Sequence, residues 1–357
     1  MRILILNRRD IANPNAGGAE LYTHEIALGL AGKYDCEVVV FSTRYPDSNE
    51  EDIIDGVRYI RKGSEITVHM WGFLYVMKHR KSFDLIIDEF NGSGFFTFFL
   101  PNTLLLIHQL YKQYWVTELG PKGAIPYVLE PVLLRFYRRR PVITVSNSTK
   151  NDLERLGFRN VNIVMNAIDN LYSGPIEKDP VPTMIFLGRL KSTKQPMHAV
   201  EIFKKVKMNV PEARLWIVGY GTLEDDLKKR AGEIGGVTFW GRVSEKDKFS
   251  ILRRAHVLIV PSIREGFGIN VIEAASAGSP AVGYNVHGLR DSIRHGETGY
   301  LVDSADEAAK KIIDLFKDPA EYARMSNNCL TYSKGFDWRK KVDEFWEIIK
   351  NIKRGSS

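Results

Sequence analysis

The chain has 357 residues, of which 44% are hydrophobic and 26% charged, a composition typical of folded globular proteins and unlike that of disordered or fibrous ones. A single hydrophobic core stops growing at about 250–300 residues, so the length predicts two domains. The net charge of +7 is modest, and without a zinc or nucleic-acid motif beside it we expect no nucleic-acid partner.

Cysteine content and apolar runs indicate where the protein works. Cys36 and Cys329 lie far apart, which suits a reducing compartment and argues against a disulfide framework or a zinc site. The apolar run in MRILILNRRD is too short for a signal peptide, and the uncharged stretch 90–111 is interrupted by glycine, proline and asparagine. We therefore expect a cytoplasmic protein without a transmembrane helix.

The first half of the chain alternates short apolar runs with helical patterns, which predicts a parallel sheet with right-handed crossovers. Predicted strands are 3–6, 38–42, 57–61, 83–88, 103–107, 141–145 and 161–165, and predicted helices are 19–30, 92–100, 126–137 and 146–156. Gly17 and Gly18 follow the first strand and His108 ends the fifth, so all three are expected at the carboxyl edge where ligands bind. A tight turn and a structural histidine are the plainer alternatives.

Aromatic and basic residues interleave between 111 and 140, with few acids among them. The predicted helix there carries an apolar face formed by Val128, Leu129, Val132, Leu133 and Phe136. This face either belongs to the core, with the basic helix end favouring the dipole, or rests on an anionic membrane and receives a lipid-linked acceptor.

The second half repeats the alternation after a segment rich in proline, glycine and charge, 173–182, which predicts an interdomain linker. Predicted strands are 183–187, 214–218, 237–240, 257–260 and 281–284, and predicted helices are 196–208, 223–233, 245–254, 269–277, 306–316, 319–328 and 336–352. The two glycines of Gly219-Tyr220-Gly221 follow a strand, but the third glycine of a dinucleotide-binding motif is replaced by Glu224. The segment is therefore predicted to be a tight turn and not a dinucleotide site.

Two cations follow the first strand of this second unit. Arg189 comes directly after Gly188, and Lys194 follows five residues later. A planar guanidinium and an ammonium at the ligand edge of a sheet would together neutralise a diphosphate. Solvated surface charge is the alternative, and the presence of both cations disfavours it.

The most informative stretch is PSIREGFGINVIEAASAGSP, residues 261–280, which joins a buried strand to a helix through a glycine-containing loop. The N–H groups of Phe267 to Asn270 would head that helix, where its dipole favours an anion. Glu265 in the loop and Glu273 in the otherwise apolar helix would accept hydrogen bonds from sugar hydroxyls. Hydrogen-bond donors for phosphate beside hydrogen-bond acceptors for sugar hydroxyls predict a nucleotide-sugar site. The alternative is that Glu265 merely favours the helix dipole and that Glu273 lies on a solvated face.

The spacing in EGFGINVIE, 265–273, resembles the signature of the retaining GT-B glycosyltransferases of family 4, also called glycosyl transferases group 1. GGAE at 17–20, GRL with Lys194, and NAID at 166–169 carry the same resemblance, which spans nearly the whole chain. It implies an α/β fold of GT-B architecture, with two Rossmann-like, doubly wound parallel-sheet domains facing across a cleft. The expected parts are an acceptor-binding domain at 1–173, a nucleotide-sugar donor domain at 174–335 and a terminal helix, 336–357, crossing back to the first domain.

The resemblance also implies roles for individual residues. The catalytic set would be Glu265, Arg189, Lys194 and His108, although Gln109 replaces the aspartate that commonly follows the histidine. The donor-binding set would be Gly17, Gly18, Gly188, Gly241, Val243, Gly266, Phe267, Gly268, Ile269, Asn270 and Glu273. Within that set, the strand end at Gly241 would read the base and Glu273 would hold the ribose.

The predicted reaction moves a hexose from a UDP- or GDP-sugar to a glycan or a lipid-linked acceptor, with retention of anomeric configuration. No metal-binding DxD motif is evident, so we expect neither a metal nor another cofactor. A peripheral contact with the cytoplasmic membrane face is consistent with the basic aromatic segment. Two alternatives remain open: another GT-B enzyme such as a sugar-nucleotide epimerase, and a non-catalytic nucleotide- or nucleic-acid-binding protein.

Overall fold

The computed structural model describes residues 1–169 and 176–354, which form two compact units. Unit 1 comprises Met1–Trp115, Pro121–Ala167 and the C-terminal segment from Trp338, and unit 2 comprises Val116–Gly120 and Ile168–Asp337. The predicted boundary between residues 173 and 174 lies outside the described residues, as does the start of the predicted linker.

Unit 1 is built on an eight-stranded sheet whose strands are β1 (Arg2–Leu6), β2 (Glu37–Ser42), β3 (Glu51–Ile54), β4 (Val57–Arg61), β5 (Leu85–Glu89), β6 (Thr103–Ile107), β7 (Val142–Thr144) and β8 (Val161–Ile163). The order is β3-β4-β2-β1-β5-β6-β7-β8, and all neighbours are parallel except β3 and β4. The central strands β1 and β5 are buried almost throughout, as expected for strands covered on both faces, and β5 ends in two buried acids, Asp88 and Glu89.

The helices of the first half are α1 (Gly18–Tyr34), α2 (Val68–His79), α3 (Gln113–Leu119), α4 (Ala124–Phe136) and α5 (Asn147–Arg155). The predicted helix at 92–100 was wrong, because the backbone there folds into an irregular loop around the buried carboxylate of Asp88. The prediction also missed β3, α2 and α3. Ser146 is the N-cap of α5, and its hydroxyl oxygen accepts a hydrogen bond from the N–H of Thr149 at 3.1 Å.

Unit 2 contains a six-stranded sheet formed by β9 (Thr183–Leu187), β10 (Arg214–Val218), β11 (Val237–Gly241), β12 (Val257–Val260), β13 (Ala281–Tyr284) and β14 (Gly299–Val302). Its order is β11-β10-β9-β12-β13-β14, and every pairing is parallel. The helices are α6 (Pro196–Lys207), α7 (Glu224–Gly232), α8 (Glu245–Arg254), α9 (Ile269–Ser276), α10 (Leu289–Ser292), α11 (Ala305–Lys317) and α12 (Pro319–Ser333). The predicted α/β class with two parallel-sheet domains is thus confirmed.

The last helix, α13 (Trp338–Arg354), packs against α1 of unit 1. A Cβ at Gly29 would lie 2.3 Å from Cγ2 of Val342, so the missing side chain allows the two helices to approach closely. The rings of Tyr34 and Trp346 stack at 4.6 Å. None of the helices in the described ranges is long and apolar enough to cross a bilayer.

Candidate functional site

The site of unit 2 lies where its strand order changes direction. β9 leads to β10 on one side, and its other neighbour, β12, leads to β13 on the opposite side. Ligands of such sheets bind in the crevice at the carboxyl ends of the two strands that flank the reversal. The loops that leave β9 and β12 carry the predicted cations and the EGFG sequence. The amide N–H of Ile263 donates to the carbonyl oxygen of Thr193 at 3.1 Å and joins the two loops.

An ion pair connects the predicted groups of these loops. The ammonium nitrogen of Lys194 lies 2.5 and 2.7 Å from the two carboxylate oxygens of Glu265. The side chains are 26% and 10% exposed, so the pair is largely withdrawn from water. The site therefore holds a carboxylate acceptor and a cation side by side.

Lys191 is a third cation of this loop, and the sequence reasoning overlooked it. Burial lowers the pKa of its ammonium group to about 8, and the nearby charges of Lys194 and Arg189 act in the same direction. Clustered cations that repel one another are stabilised when an anion enters. The loop after β9 is thus suited to a diphosphate.

Glycines at the adjoining strand ends allow the loops to pack closely. Gly219 has φ +140°, and a Cβ there would lie 1.9 Å from the carbonyl oxygen of Gly188. The N–H of Gly219 donates to the carbonyl oxygen of Gly241 at 2.9 Å, so three neighbouring strand ends are tied together. The tight turn predicted at Gly219-Tyr220-Gly221 lies slightly later in the chain. The 219–221 segment runs beside the loop after β9, where the N–H of Leu190 donates to the carbonyl oxygen of Tyr220 at 2.9 Å, and the turn begins at Gly221, whose carbonyl oxygen accepts from the N–H of Glu224 at 3.2 Å.

Gly268 is the N-cap of α9, with φ +92°. Its left-handed backbone directs the first N–H groups of the helix, including those of Ile269 and Asn270, out of the helix start, where they have no intrahelical acceptor. The side-chain amide of Asn270 donates to the carbonyl oxygen of Leu187 at 3.0 Å and fixes α9 to the end of β9. Phe267 is buried against Phe336, with ring centroids 5.7 Å apart, so its ring is a packing group.

Glu273 is buried, with 6% of the residue exposed, which excludes the solvated alternative. Its Oε1 accepts a hydrogen bond from the ammonium of Lys248 at 2.6 Å. Burial lowers the pKa of Lys248, but Glu273 and Glu245 outweigh that effect, and the net shift is upward. A carboxylate has about four lone-pair sites, so this ion pair leaves Glu273 able to accept further hydrogen bonds.

The positions predicted to read the base lie at the end of β11. Gly241 closes the strand with φ +62°. Val243 is half-buried and packs against the hydrophobic cluster between β12 and α9. Between them, the guanidinium of Arg242 lies 5.3 Å from the ring centroid of Tyr220. Contacts within unit 2 therefore fix the chain at the end of β11.

Gly17, Gly18 and His108 belong to unit 1. Gly17 is the N-cap of α1, and its N–H donates to Oε2 of Glu20 at 2.8 Å. His108, at the end of β6, is 8% exposed, and its ring meets the ring of Tyr22 edge-on at 5.1 Å. These residues share the carboxyl edge of the first sheet, as expected for residues that follow parallel strands.

The carboxylate near His108 comes from a neighbouring strand. Oε1 of Glu89, at the end of β5, lies 3.3 Å from Nε2 of His108, an ion-pair distance without hydrogen-bond geometry. Glu89 is fully buried and accepts hydrogen bonds from Thr23 at 2.6 Å and from Asn91 at 3.1 Å. The sequence reasoning sought a carboxylate next to His108 in the chain and so missed Glu89.

The predicted residues thus form two groups. Unit 2 brings together the residues after β9, β11 and β12, and unit 1 holds Gly17, Gly18 and His108. Among the described residues, no three His, Cys, Asp or Glu side chains are arranged to hold a metal ion.

Two family models match adjoining parts of the chain. The model described as Glycosyltransferase Family 4 matches residues 16–170, and the model described as Glycosyl transferases group 1 matches residues 173–331. The chain belongs to the GT-B glycosyltransferases of group 1. The resemblance inferred from EGFGINVIE and GRL is therefore confirmed, and the two matches correspond to the two halves of the chain.

Similar proteins support the same assignment. The chain is 27% identical over 234 residues to glycogen synthase from Mycobacterium tuberculosis, covering 60% of this chain and 55% of that protein. It is 33% identical over 175 residues to phosphatidyl-myo-inositol mannosyltransferase from Mycolicibacterium smegmatis, covering 48% and 45%. The matches span about half the length of these curated relatives. Sucrose-phosphate synthase from Thermosynechococcus elongatus has the same fold, with a TM-score of 0.82 over 99% of both chains at 18% identity.

Proposed function

We propose that this protein is a hexosyltransferase that moves a sugar from a UDP- or GDP-sugar to the hydroxyl group of a glycan or lipid-linked acceptor. The observation that carries the proposal is the Lys194–Glu265 ion pair beside the start of α9, at the strand-order reversal of unit 2. Cations and helix N–H groups suit the diphosphate, while the carboxylate suits sugar hydroxyls. The glycogen synthase and mannosyltransferase relatives favour the same class of reaction.

In the proposed reaction, the bond between the anomeric carbon and the diphosphate oxygen breaks. The anomeric carbon becomes positively charged and the leaving diphosphate gains negative charge. Arg189, Lys194 and the first N–H groups of α9 would stabilise the leaving group by preorganised electrostatics. Glu265 would hold the hydroxyls of the sugar, Glu273 the ribose, and the backbone around Gly241 the base.

We further propose that configuration at the anomeric carbon is retained. The acceptor hydroxyl would attack from the side of the departing phosphate, and its proton would pass to the leaving phosphate oxygen. No metal or other cofactor has a role in this scheme. The expected product is a glycoside with the anomeric configuration of the donor, which NMR of the product would show.

We also propose a peripheral contact with the cytoplasmic membrane face through α4. The apolar residues of its outer face are exposed: Ile125 by 68%, Val128 by 62% and Phe136 by 58%. The interpretation of the predicted face as core was therefore wrong for Val128, Leu129, Val132 and Phe136, whereas Leu133 is partly buried and packs against the core. Arg135, Arg138 and Arg139 are exposed at the same end of the helix, which suits anionic lipid.

Co-sedimentation with vesicles tests this contact. We expect binding to vesicles that contain phosphatidylglycerol, weaker binding to phosphatidylcholine alone, and loss of binding for Val128→Glu. Ile53→Glu, an equally apolar substitution site that is 76% exposed on β3, is the matched control. A different result would overturn the membrane contact: if the wild type self-associates but does not bind vesicles, and Val128→Glu abolishes the self-association, a second copy of the chain covers α4.

Nucleotide binding tests the central proposal. Thermal unfolding would be measured with UDP, GDP and ADP and with their common sugar conjugates. A ligand at a hundredfold excess over its dissociation constant stabilises the folded state by about 2.7 kcal/mol. We expect one nucleotide to respond, and the response to be lost in Arg189→Ala and Glu273→Ala.

Lys205→Ala is the control. Lys205 lies near the C-terminal end of α6 and forms an exposed ion pair with Asp306 of α11 at 2.6 Å, and neither residue belongs to the proposed site. A flat response across the panel from a folded protein would refute the proposal. Consumption of a nucleotide sugar without a new glycoside would instead identify an epimerase.

A further inference from the structure

Unit 1 contains a groove of about 310 Å³ that changes character along its length. One end is polar and is lined by Arg8, Glu65 and Asn91. The other end is apolar and is formed by Leu129 and Leu133 of α4. Trp115 and Gly92 also line the groove.

Two arginines and a glutamate meet at the polar end. Arg8 and Arg9 both donate to the carboxylate of Glu65 at 2.8 Å, so two cations share one acid. The buried Nε of Arg8 and Nε1 of Trp115 have no hydrogen-bond partner in the part of the chain that the structure describes. Both atoms are donors, and buried donors require an acceptor. An anionic, oxygen-rich group satisfies both requirements.

This polar end adjoins the residues at the ends of β5 and β6. Asn91 lines the groove, and its side-chain amide donates to Oε1 of Glu89 at 3.1 Å. The same carboxylate oxygen lies 3.3 Å from His108. Asn91 and Glu89 therefore link the polar end to His108, the histidine that we expect near the transferred sugar.

A second cavity, of about 190 Å³, adjoins the apolar end at Leu133, which lines both spaces. The remaining wall of this cavity is almost entirely apolar, formed by Gly94, Phe96, Phe98, Phe136 and Tyr137. A partly polar groove beside an apolar cavity fits an amphiphile.

The wall of the second cavity is firmly built. The buried carboxylate of Asp88 accepts hydrogen bonds from the N–H of Phe95 at 2.9 Å, and from the hydroxyls of Thr97 and Tyr137 at 2.7 Å each. Between these anchors, Phe96 has φ +61° and is 40% exposed. A bulky residue in this conformation is strained, and such strain persists only where the surrounding structure enforces it. The fold thus holds an aromatic ring at the mouth of an apolar cavity.

We propose that this groove binds the acceptor, and that the acceptor is a lipid with an anionic headgroup. The headgroup would lie at Arg8 and Trp115, and the hydrocarbon chain would pass along Leu129 and Leu133 into the apolar cavity. This inference rests on the proposed glycosyl transfer and names its acceptor class. A soluble glycan has no apolar part to fill the second cavity, whereas the exposed apolar face of α4 lies directly beside it.

Isothermal titration with decyl phosphate, kept below its critical micelle concentration, tests the groove directly. We expect decyl phosphate to bind, and inorganic phosphate or decanol to bind at least about tenfold more weakly, because each lacks one half of the ligand. Leu129→Asp and Arg8→Gln should each weaken decyl phosphate at least about tenfold. Ile53→Asp, on the far edge strand, should leave the affinity unchanged.

Several results would overturn the inference. Equal affinity for inorganic phosphate or for decanol would show a simple anion site or a simple apolar patch. An unchanged affinity in Leu129→Asp and Arg8→Gln would place the lipid elsewhere, and absence of binding would remove the lipid acceptor altogether. The nucleotide panel on the same preparation separates the two proposals. A UDP or GDP response without decyl phosphate binding leaves glycosyl transfer standing and overturns only the lipid acceptor.

Discussion

At the scale of single residues, the Lys194–Glu265 ion pair is the centre of the proposed donor site of unit 2. Its two groups are held within 2.7 Å of each other by loops that follow different strands. Removal of one partner leaves the other charge largely withdrawn from water, which is costly for the protein. We therefore expect single substitutions in the pair to lower stability and, if the proposed function holds, catalysis.

Lys194→Ala should lower the turnover of the nucleotide sugar by about 10²–10³, the loss typical of removing one preorganised donor to a developing negative charge. Lys194→Arg should recover part of the rate, because it restores the charge with a different geometry. Product formation under saturating donor measures both. Lys228→Ala, which removes an exposed ion pair with Glu224 at 2.7 Å, is the control. A rate unchanged in Lys194→Ala would exclude Lys194 from leaving-group stabilisation.

Lys191 should make stability depend on pH in the alkaline range. Burial lowers the pKa of its ammonium group from 10.5 to about 8 in the folded chain, so between these values the unfolded chain binds more protons. The free energy of unfolding must then rise with pH from about 8 towards 10.5. Urea unfolding of the wild type and of Lys191→Met across this range measures the effect as a difference. A difference that is constant with pH would contradict the assignment.

The sequence predicted the residues that follow strands, but not their partners from other elements. Glu265, Lys194 and Glu273 lie where the motif spacing and the carboxyl-edge rule placed them. Lys248 was missed because it comes from α8, 25 residues before Glu273, and nothing in its local sequence marks it as a partner. Glu89 was missed for a similar reason. It becomes a neighbour of His108 only because β5 pairs with β6 in the sheet.

At the scale of elements, the buried strands and the amphipathic helices were the most predictable. β9, β10, β12, β13 and α8 have the expected bounds, because apolar runs and N-caps mark their ends clearly. α2 was missed because Met70, Leu74 and Met77 are exposed, so its apolar residues do not form one buried stripe. The false helix at 92–100 has a tertiary cause, since only the folded chain brings Asp88 to the amides that it holds.

The contact of α1 with α13 predicts opposite effects for two glycine substitutions on α1. Gly29→Ala should lower the free energy of unfolding by about 1–3 kcal/mol, because the new Cβ would overlap the side chain of Val342. Gly32→Ala should raise it by about 0.5–1 kcal/mol, because a Cβ there meets no atom within 4 Å and alanine favours the helix. Urea unfolding of both variants decides this. Equal effects would show that α13 does not press on α1 at Gly29.

At the scale of the whole molecule, the chain builds its two units from interleaved segments. Unit 1 begins at the N-terminus and is completed by α13, which follows all of the strands of unit 2. Two hydrophobic clusters lie wholly within unit 1 and two others wholly within unit 2. The last helix therefore stabilises the unit that lies farthest from it in the sequence.

Phe345→Ala tests this arrangement. Phe345 is 1% exposed on α13, and truncation of a buried phenylalanine typically costs about 3–5 kcal/mol. Because α13 packs on unit 1, amide hydrogen exchange should accelerate in β1, β2 and α1, while the strands of unit 2 keep their protection. Lys350→Ala, at an exposed ion pair with Glu347 on the same helix, should change neither.

The nucleotide response gives Phe345→Ala a second readout. If unit 2 folds independently of α13, the shift with UDP or GDP should persist in the variant, because the proposed donor residues after β9, β11 and β12 all belong to unit 2. Loss of protection in both units together, with loss of the nucleotide response, would instead show that the chain unfolds as one cooperative body. In that case α13 would hold the donor site as well as unit 1, and the two sheets could not be treated as separate folding units.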